Sequence, residues 1–207
     1  MRTEYDAVVN DTAKKPTLRQ RTRQAMRAEV SAIATRLFAE QGCDNTTVEQ
    51  IAAEAGLSRT TFFRYFGTKE DVVLTWLEEL GPALVAAFRA RPGDEHPWTS
   101  LRRTLDVFTA MNADAPERSL AFMRMLQESP TMTARYAERQ QSWEDLLVPL
   151  VAERLAGDRP ADRDPAPRAL VASALACYNA AMQAWGAADG AGSRDDLLDR
   201  AMTALHA

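Results

Sequence analysis

From Leu18 onward, apolar residues recur at three- and four-residue intervals (Met26, Val30, Ile33, Ala34, Leu37, Phe38), the repeat of an amphipathic helix. Gly42 ends it, since glycine tolerates the left-handed conformation at a helix terminus. Thr46 and Thr47 cap a second helix with Glu49 and Gln50 in its first turn and Val48, Ile51, Ala52 and Ala55 on one face. Gly56 stops it after about two turns. Ser58 caps a third short helix through Phe66, and Gly67-Thr68 ends that one and starts a fourth. The fourth spans about residues 69–91, with Val72, Val73, Trp76, Leu77, Leu80, Leu84 and Phe88 as its stripe, and Pro82 is expected to kink or split it.

After a break at residues 92–97, a fifth helix carries Trp98, Leu101, Leu105, Phe108 and Met111. Pro116 opens a sixth, with Leu120, Phe122, Met123, Met125 and Leu126, and Ser129-Pro130 opens a longer one to about Leu155 with a kink expected at Pro149. Residues 157–167, with three prolines, one glycine and alternating charges, read as a loop. Two final helices follow, at about 168–188 and 194–206, the last capped by Ser193. No β-branched alternation suggests a sheet, so the expected fold is all-α with about nine helices.

The chain of 207 residues is 46% apolar and can bury a real core. Its net charge of −4 hides an asymmetry: residues 1–67 carry net +2 and residues 68–207 net −6. Within residues 14–36, Lys14, Lys15, Arg19, Arg21, Arg23, Arg27 and Arg36 face only Glu29. A basic front and an acidic rear confine any polyanion contact to the front. Cys43 and Cys177 are isolated thiols, as in a reducing compartment. No stretch approaches the ~20 apolar residues of a membrane span, and the polar N-terminus is no secretory signal. The expected location is the cytoplasm.

The segment TTVEQIAAEAGLSRTTFFRYFGTK (46–69) carries the chemistry. Ile51 and Phe62 have to meet in a small shared core, Ala52 and Ala55 have to be small, Gly56 has to turn the chain and Leu57 has to plug the corner. These are the demands of a helix-turn-helix, which presents its second helix to the DNA major groove. With Leu57, Phe62 and Phe66 inward, the outward side offers Ser58, Arg59, Thr60, Thr61, Phe63, Arg64 and Tyr65. Arginine can bond a guanine edge, threonine a thymine methyl or a phosphate. Thr46, Thr47 and Lys69, at helix starts, are candidates for phosphate contact. The expected division is an arm at 1–17, a three-helix DNA-binding domain at 18–68, and a helical ligand-binding and dimerisation domain at 69–207.

Residues 19–69 closely resemble the DNA-binding domain of the TetR/AcrR family. The matching positions are Thr46-Thr47-Val48, Ile51-Ala52, Ala55-Gly56-Leu57-Ser58, Thr61-Phe62-Phe63, Tyr65-Phe66 and Thr68-Lys69-Glu70. Two positions depart from the pattern: Cys43 replaces a frequent aromatic, loosening one packing contact, and Phe63 replaces a frequent tyrosine, removing a hydroxyl from the phosphate side. The resemblance implies a homodimer on a near-palindromic operator, usually a repressor released by a small ligand. The sixth and seventh helices resemble those of actinobacterial members that sense acyl-CoA or related lipidic ligands, including mycofactocin-type regulators.

In the rear half, Trp98, Phe108, Phe122, Met123, Tyr136, Trp143, Tyr178 and Met182 are each core by default. Together they are bulky and flexible enough to line an apolar cavity for an effector. Arg124 and Gln127 are candidates for a ligand's polar end, with plain solvent exposure the alternative. The last two helices are alanine-rich and apolar around more than one face, which favours a partner chain. An enzyme is the rival class, yet no nucleophile motif, P-loop, dinucleotide fingerprint or metal cluster is present, and His96 and His206 stand alone. Neither a cofactor nor a catalytic residue is expected. A DNA-binding adaptor without a ligand is the other rival, and it would lack the cavity.

Overall fold

A computed structural model describes residues 17–111, 116–155 and 164–205. The expected arm, apart from Thr17, and residues 157–163 of the expected loop lie outside the described residues. All regular structure among the described residues is helical, in the order α1 (Leu18–Gln41), α2 (Val48–Glu54), α3 (Arg59–Tyr65), α4 (Lys69–Val73), a 3-10 segment (Leu74–Glu79), α5 (Leu80–Arg89), α6 (Pro97–Thr104), α7 (Asp106–Met111), α8 (Pro116–Glu128), α9 (Pro130–Leu155), α10 (Ala166–Ala187) and α11 (Arg194–Thr203). With α4 through α5 taken as one interrupted rod and α6–α7 as another, these are the nine helices the periodicity predicts.

The split expected at Pro82 lies one turn upstream of it. A proline ring crowds the carbonyl four residues earlier and offers no N–H to it; here that carbonyl belongs to Glu78, within the 3-10 segment. Pro149, by contrast, sits exposed inside α9, which continues past it as one helix.

The N-terminal part is pinned by local chemistry. The Thr47 hydroxyl accepts the Gln50 N–H while the Gln50 side chain accepts the Thr47 N–H, a reciprocal capping box. Gly56 adopts φ +66°, the left-handed region that a side chain disfavours, and lets the Leu57 N–H reach the Ala52 carbonyl at 2.8 Å. The Ser58 hydroxyl caps α3 through the Thr61 N–H at 3.1 Å, and Thr68 with Asp71 forms a second capping box at α4. Under these turns Val30, Ala34, Phe38, Ile51, Ala52, Phe62 and Phe66 make one continuous core.

In the rear part, α10 packs on α9 and α11, and α5 packs on α9. Arg154 of α9 lies 4.3 Å over the Phe88 ring and donates to the carbonyls of Phe88 (2.9 Å) and Arg91 (3.0 Å) and to the Ser100 hydroxyl (2.5 Å). It thus supplies side-chain donors to carbonyls at the end of α5 and ties α5, α6 and α9 together. Arg102, nearly buried on α6, pairs with Asp106 and with Asp199 of α11. The two parts meet where α4 packs on both α1 and α9.

Candidate nucleic-acid interface and effector cavity

The short helix α3 shows one buried side, Phe62 with Phe66 next to it, and one open side of Ser58, Arg59, Thr60, Phe63 and Arg64. Thr61 and Tyr65 lie half-buried at its borders, and Thr47 is exposed at the start of α2. Phe63 is 45% exposed, an unusual place for a phenyl ring unless something covers it. Arg59 lies 5.5 Å over that ring and pairs with Glu49 at 3.0 Å. Arg64 stacks on Tyr65 at 5.1 Å and makes no ion pair with the described residues; Arg23 of α1 reaches the same ring at 5.8 Å. Stacking holds a guanidinium plane while leaving its N–H edge available to acceptors, as at Arg64; the Arg59 edge is shared with Glu49.

Two residues expected on this face are spent inside the molecule. Thr46 is buried, and its hydroxyl donates to the Gly42 carbonyl at 2.8 Å. The Lys69 ammonium donates to the carbonyls of Cys43 (2.5 Å) and Thr46 (2.8 Å), gathering the loop between α1 and α2. The chain leaving α1 turns sharply, so its carbonyls need donors, and Thr46 and Lys69 supply them. Cys43 is buried beneath this loop, and desolvation, with Glu70 beside it, pushes its thiol up to about 11.

In the rear part a cavity of about 1150 Å³ opens among α8, α9 and α10 and runs on into the groove between α8 and α1. Phe108, Phe122, Met123, Tyr136, Trp143, Tyr178 and Met182 line it as expected. Trp98 does not: it is buried on α6, away from the cavity wall. The rings form a chain of contacts. Trp76 meets Phe122 (5.5 Å), Phe122 meets Tyr136 (5.7 Å), Tyr136 meets Trp143 (6.1 Å), Trp143 meets Phe108 (5.0 Å), and Phe108 stacks on Tyr178 (4.3 Å). Burial raises the phenols of Tyr136 and Tyr178 above the ordinary tyrosine value, so both stay neutral. Arg124 and Gln127 stay outside the cavity wall; Arg124 is exposed and pairs with Asp189 at 3.2 Å.

Sequence reading missed a whole wall of this cavity. The 3-10 segment contributes Trp76, Leu77 and Glu78, and α1 contributes a long face including Arg27, Ser31 and Thr35. Arg27 did carry a signal: it falls in register with Val30, Ala34 and Phe38, a charge on the buried stripe.

Known proteins match both parts. The family described as "Bacterial regulatory proteins, tetR family" matches residues 32–75, and the "MftR C-terminal domain" matches residues 95–207. The chain is 32% identical over 176 residues to the HTH-type transcriptional regulator TcmR of Streptomyces glaucescens, covering 82% of this chain and 77% of that one. It is 26% identical over 144 residues to the mycofactocin biosynthesis transcriptional regulator MftR of Mycobacterium tuberculosis, covering 66% and 69%. In fold it is similar to Thermus thermophilus FadR, a transcriptional repressor solved in complex with lauroyl-CoA, with a TM-score of 0.56 at 22% identity over 86% of this chain and 92% of that one. No helix among the described residues is long and apolar enough to cross a membrane. Relatives with this helix-turn-helix and this C-terminal domain are transcriptional regulators and not enzymes, and the chain belongs to the TetR family of bacterial regulatory proteins.

Proposed function

We propose that this regulator is a repressor that leaves a palindromic operator when an apolar or amphipathic small molecule enters the rear cavity. One observation carries the reading: the 3-10 segment that joins the two parts is itself a wall of the cavity, through Trp76, Leu77 and Glu78. A ligand that fits only when this wall moves has different affinities for two arrangements of the head, and such a difference is what couples two sites. In this reading residues 18–68 hold the operator, residues 69–207 hold the effector and the partner chain, and the protein works in the cytoplasm beside its DNA.

On the DNA side, Arg59, Thr60, Phe63 and Arg64 read the major groove, with Ser58, Thr61 and Tyr65 at its border and Thr47 on a phosphate. The exposed positions support this assignment; Thr46 and Lys69 are left out of it because their polar groups are engaged elsewhere.

The partner is a second copy, docked through α10 and α11. Ala169, Ala176, Ala180, Ala184 and Ala187 recur along one exposed side of α10, small enough for close helix approach. Ala174 and Leu175 of the same helix are buried within the chain, so charges there would damage the fold instead of the dimer. Ala180→Arg is the sound test, expected to yield monomers in sedimentation.

The function is tested by selecting a binding sequence from random duplex DNA with the purified protein, then screening small molecules for loss of that complex. A palindromic consensus and a compound that releases it are expected. A binder that no compound releases, with the cavity closed in a crystal, would make it a ligand-independent DNA-binding protein.

A further inference from the structure

The cavity changes character along its length. Its inner end is mainly aromatic, with Phe108, Trp143 and the uncharged Tyr136 and Tyr178 meeting there; Arg194, which also lines it, is tied to the Thr109 carbonyl (3.1 Å) and the Ser119 hydroxyl (3.4 Å). Its outer end, the groove between α1 and α8, carries Arg23, Arg27, Arg36 and Arg118 against Glu78 and Glu117. Arg36 is held by Glu40 and Glu54, which leaves Arg27 as the cation set deepest between the two parts.

Arg27 is under-satisfied. Its Nη2 donates to Glu78 at 2.9 Å, yet its Nε–H is buried with no acceptor. A guanidinium bonds best through two parallel N–H groups to a single anion, and a buried donor without a partner carries a free-energy cost. Glu78 does not give it both oxygens: Oε2 serves Arg27 while Oε1 accepts from Arg139 of α9 at 3.3 Å. Arg139 also approaches Asp71, whose carboxylate caps α4 by accepting the Thr68 N–H. One carboxylate in the 3-10 segment therefore bridges α1 of the head to α9 of the rear part. Glu78 is more than one-third exposed, so letting go of Arg27 returns it to water at small cost.

We propose that Arg27 is the specificity-determining residue of the cavity: an anionic group at one end of the bound amphiphile (carboxylate, sulfonate or phosphate chemistry) takes the Nε and Nη edge of Arg27 and displaces Glu78. A turn of the side chain, which already lines the groove, presents that edge. The apolar body lies inward against the rings, which take it out of water. Binding then breaks the bridge from α1 to the 3-10 segment and α9, so the effector is read directly at the DNA-binding part. This rests on the effector reading of the cavity given above.

The test uses two fluorogenic probes of nearly equal shape, anilinonaphthalene sulfonate and its neutral parent phenylnaphthylamine, titrated into the full-length protein. Both are expected to bind, the anion about tenfold more tightly, the scale of one hydrogen bond to a charged group. Arg27→Gln removes that preference and leaves the neutral probe's affinity unchanged, Arg27→Lys keeps part of it, and Glu78→Gln widens it by removing the competitor. A purely structural Arg27 would instead weaken both probes together, with a lowered melting temperature. If both probes bind and Arg27→Gln keeps the anion preference, the proposal is overturned and the cavity reading stands. If neither probe binds, the cavity reading falls and takes this proposal with it.

Discussion

The head and the rear part use large side chains in opposite ways. In the head, Ile51 and Phe62 are fully buried against one another's surroundings, and every short helix begins on a side-chain cap. In the rear part, six rings from Trp76 to Tyr178 touch in a chain and still border a cavity of about 1150 Å³. A surface that reads base edges works only if its side chains are held in place, and helices of seven residues cannot hold themselves. A sensing domain works only if some of its volume is left to be filled. In the function proposed above, density serves one task and its interruption serves the other.

The most forceful way to break this contrast is to truncate one ring on each side. Phe62→Ala should cost about 3–5 kcal/mol, because a closed core leaves a cavity behind. Phe122→Ala, on a wall already open, should cost no more than about 1–2 kcal/mol. Denaturant titration of both variants measures the gap, and equal losses would show that the rear part packs as tightly as the head.

Arg64→Ala sharpens the contrast from the side of function. It should weaken the selected operator by about 1–3 kcal/mol if the side chain reads a base, with melting unchanged because the residue is exposed. Competition binding on operator and random duplexes decides: an equal loss on both would place Arg64 on the phosphates instead.

A smaller effect probes the caps. Thr47→Ala removes one half of the capping box and should cost about 1 kcal/mol. Hydrogen exchange should accelerate in α2 and α3 and stay unchanged in α9 and α10. Acceleration in both regions would mean the head and rear part unfold as one unit.

The mildest test concerns pH in the turn between α5 and α6. Hydrogen bonds from Arg91 and Ser100 hold the Glu95 carboxyl down to about 2. Its folded value lies below the unfolded one, so its stabilising effect is full above the ordinary carboxylate range and is lost as pH falls through about 2. Thermal melts of Glu95→Gln should therefore lie slightly below the native chain at neutral pH and converge with it in strong acid. A difference that persists at the lowest pH would assign the effect to packing.

Much of the head was legible along the chain because its determinants are local: a threonine three residues before a glutamine, a serine three before a threonine, a glycine where the backbone needs φ above zero. Such contacts span three or four residues, and their residue types announce them. The same locality set the nine helices and the proline that interrupts the fourth. What no local pattern holds is the fate of a side chain that meets a distant segment. Thr46 and Lys69 stand at helix starts, as phosphate ligands do, yet the turn after α1 brings backbone carbonyls to both. Trp98 and Tyr178 are alike as aromatic residues on amphipathic helices, and only the packing of α8, α9 and α10 puts one in a closed core and the other on a cavity wall. Arg27 looked like one more cation in a basic run until the fold set it against Glu78 of the 3-10 segment. Helix starts, stops and stripes follow from interactions within a turn or two. Which polar group is paired, and where volume stays empty, depends on surfaces tens of residues apart, so those were decided only when the helices came together.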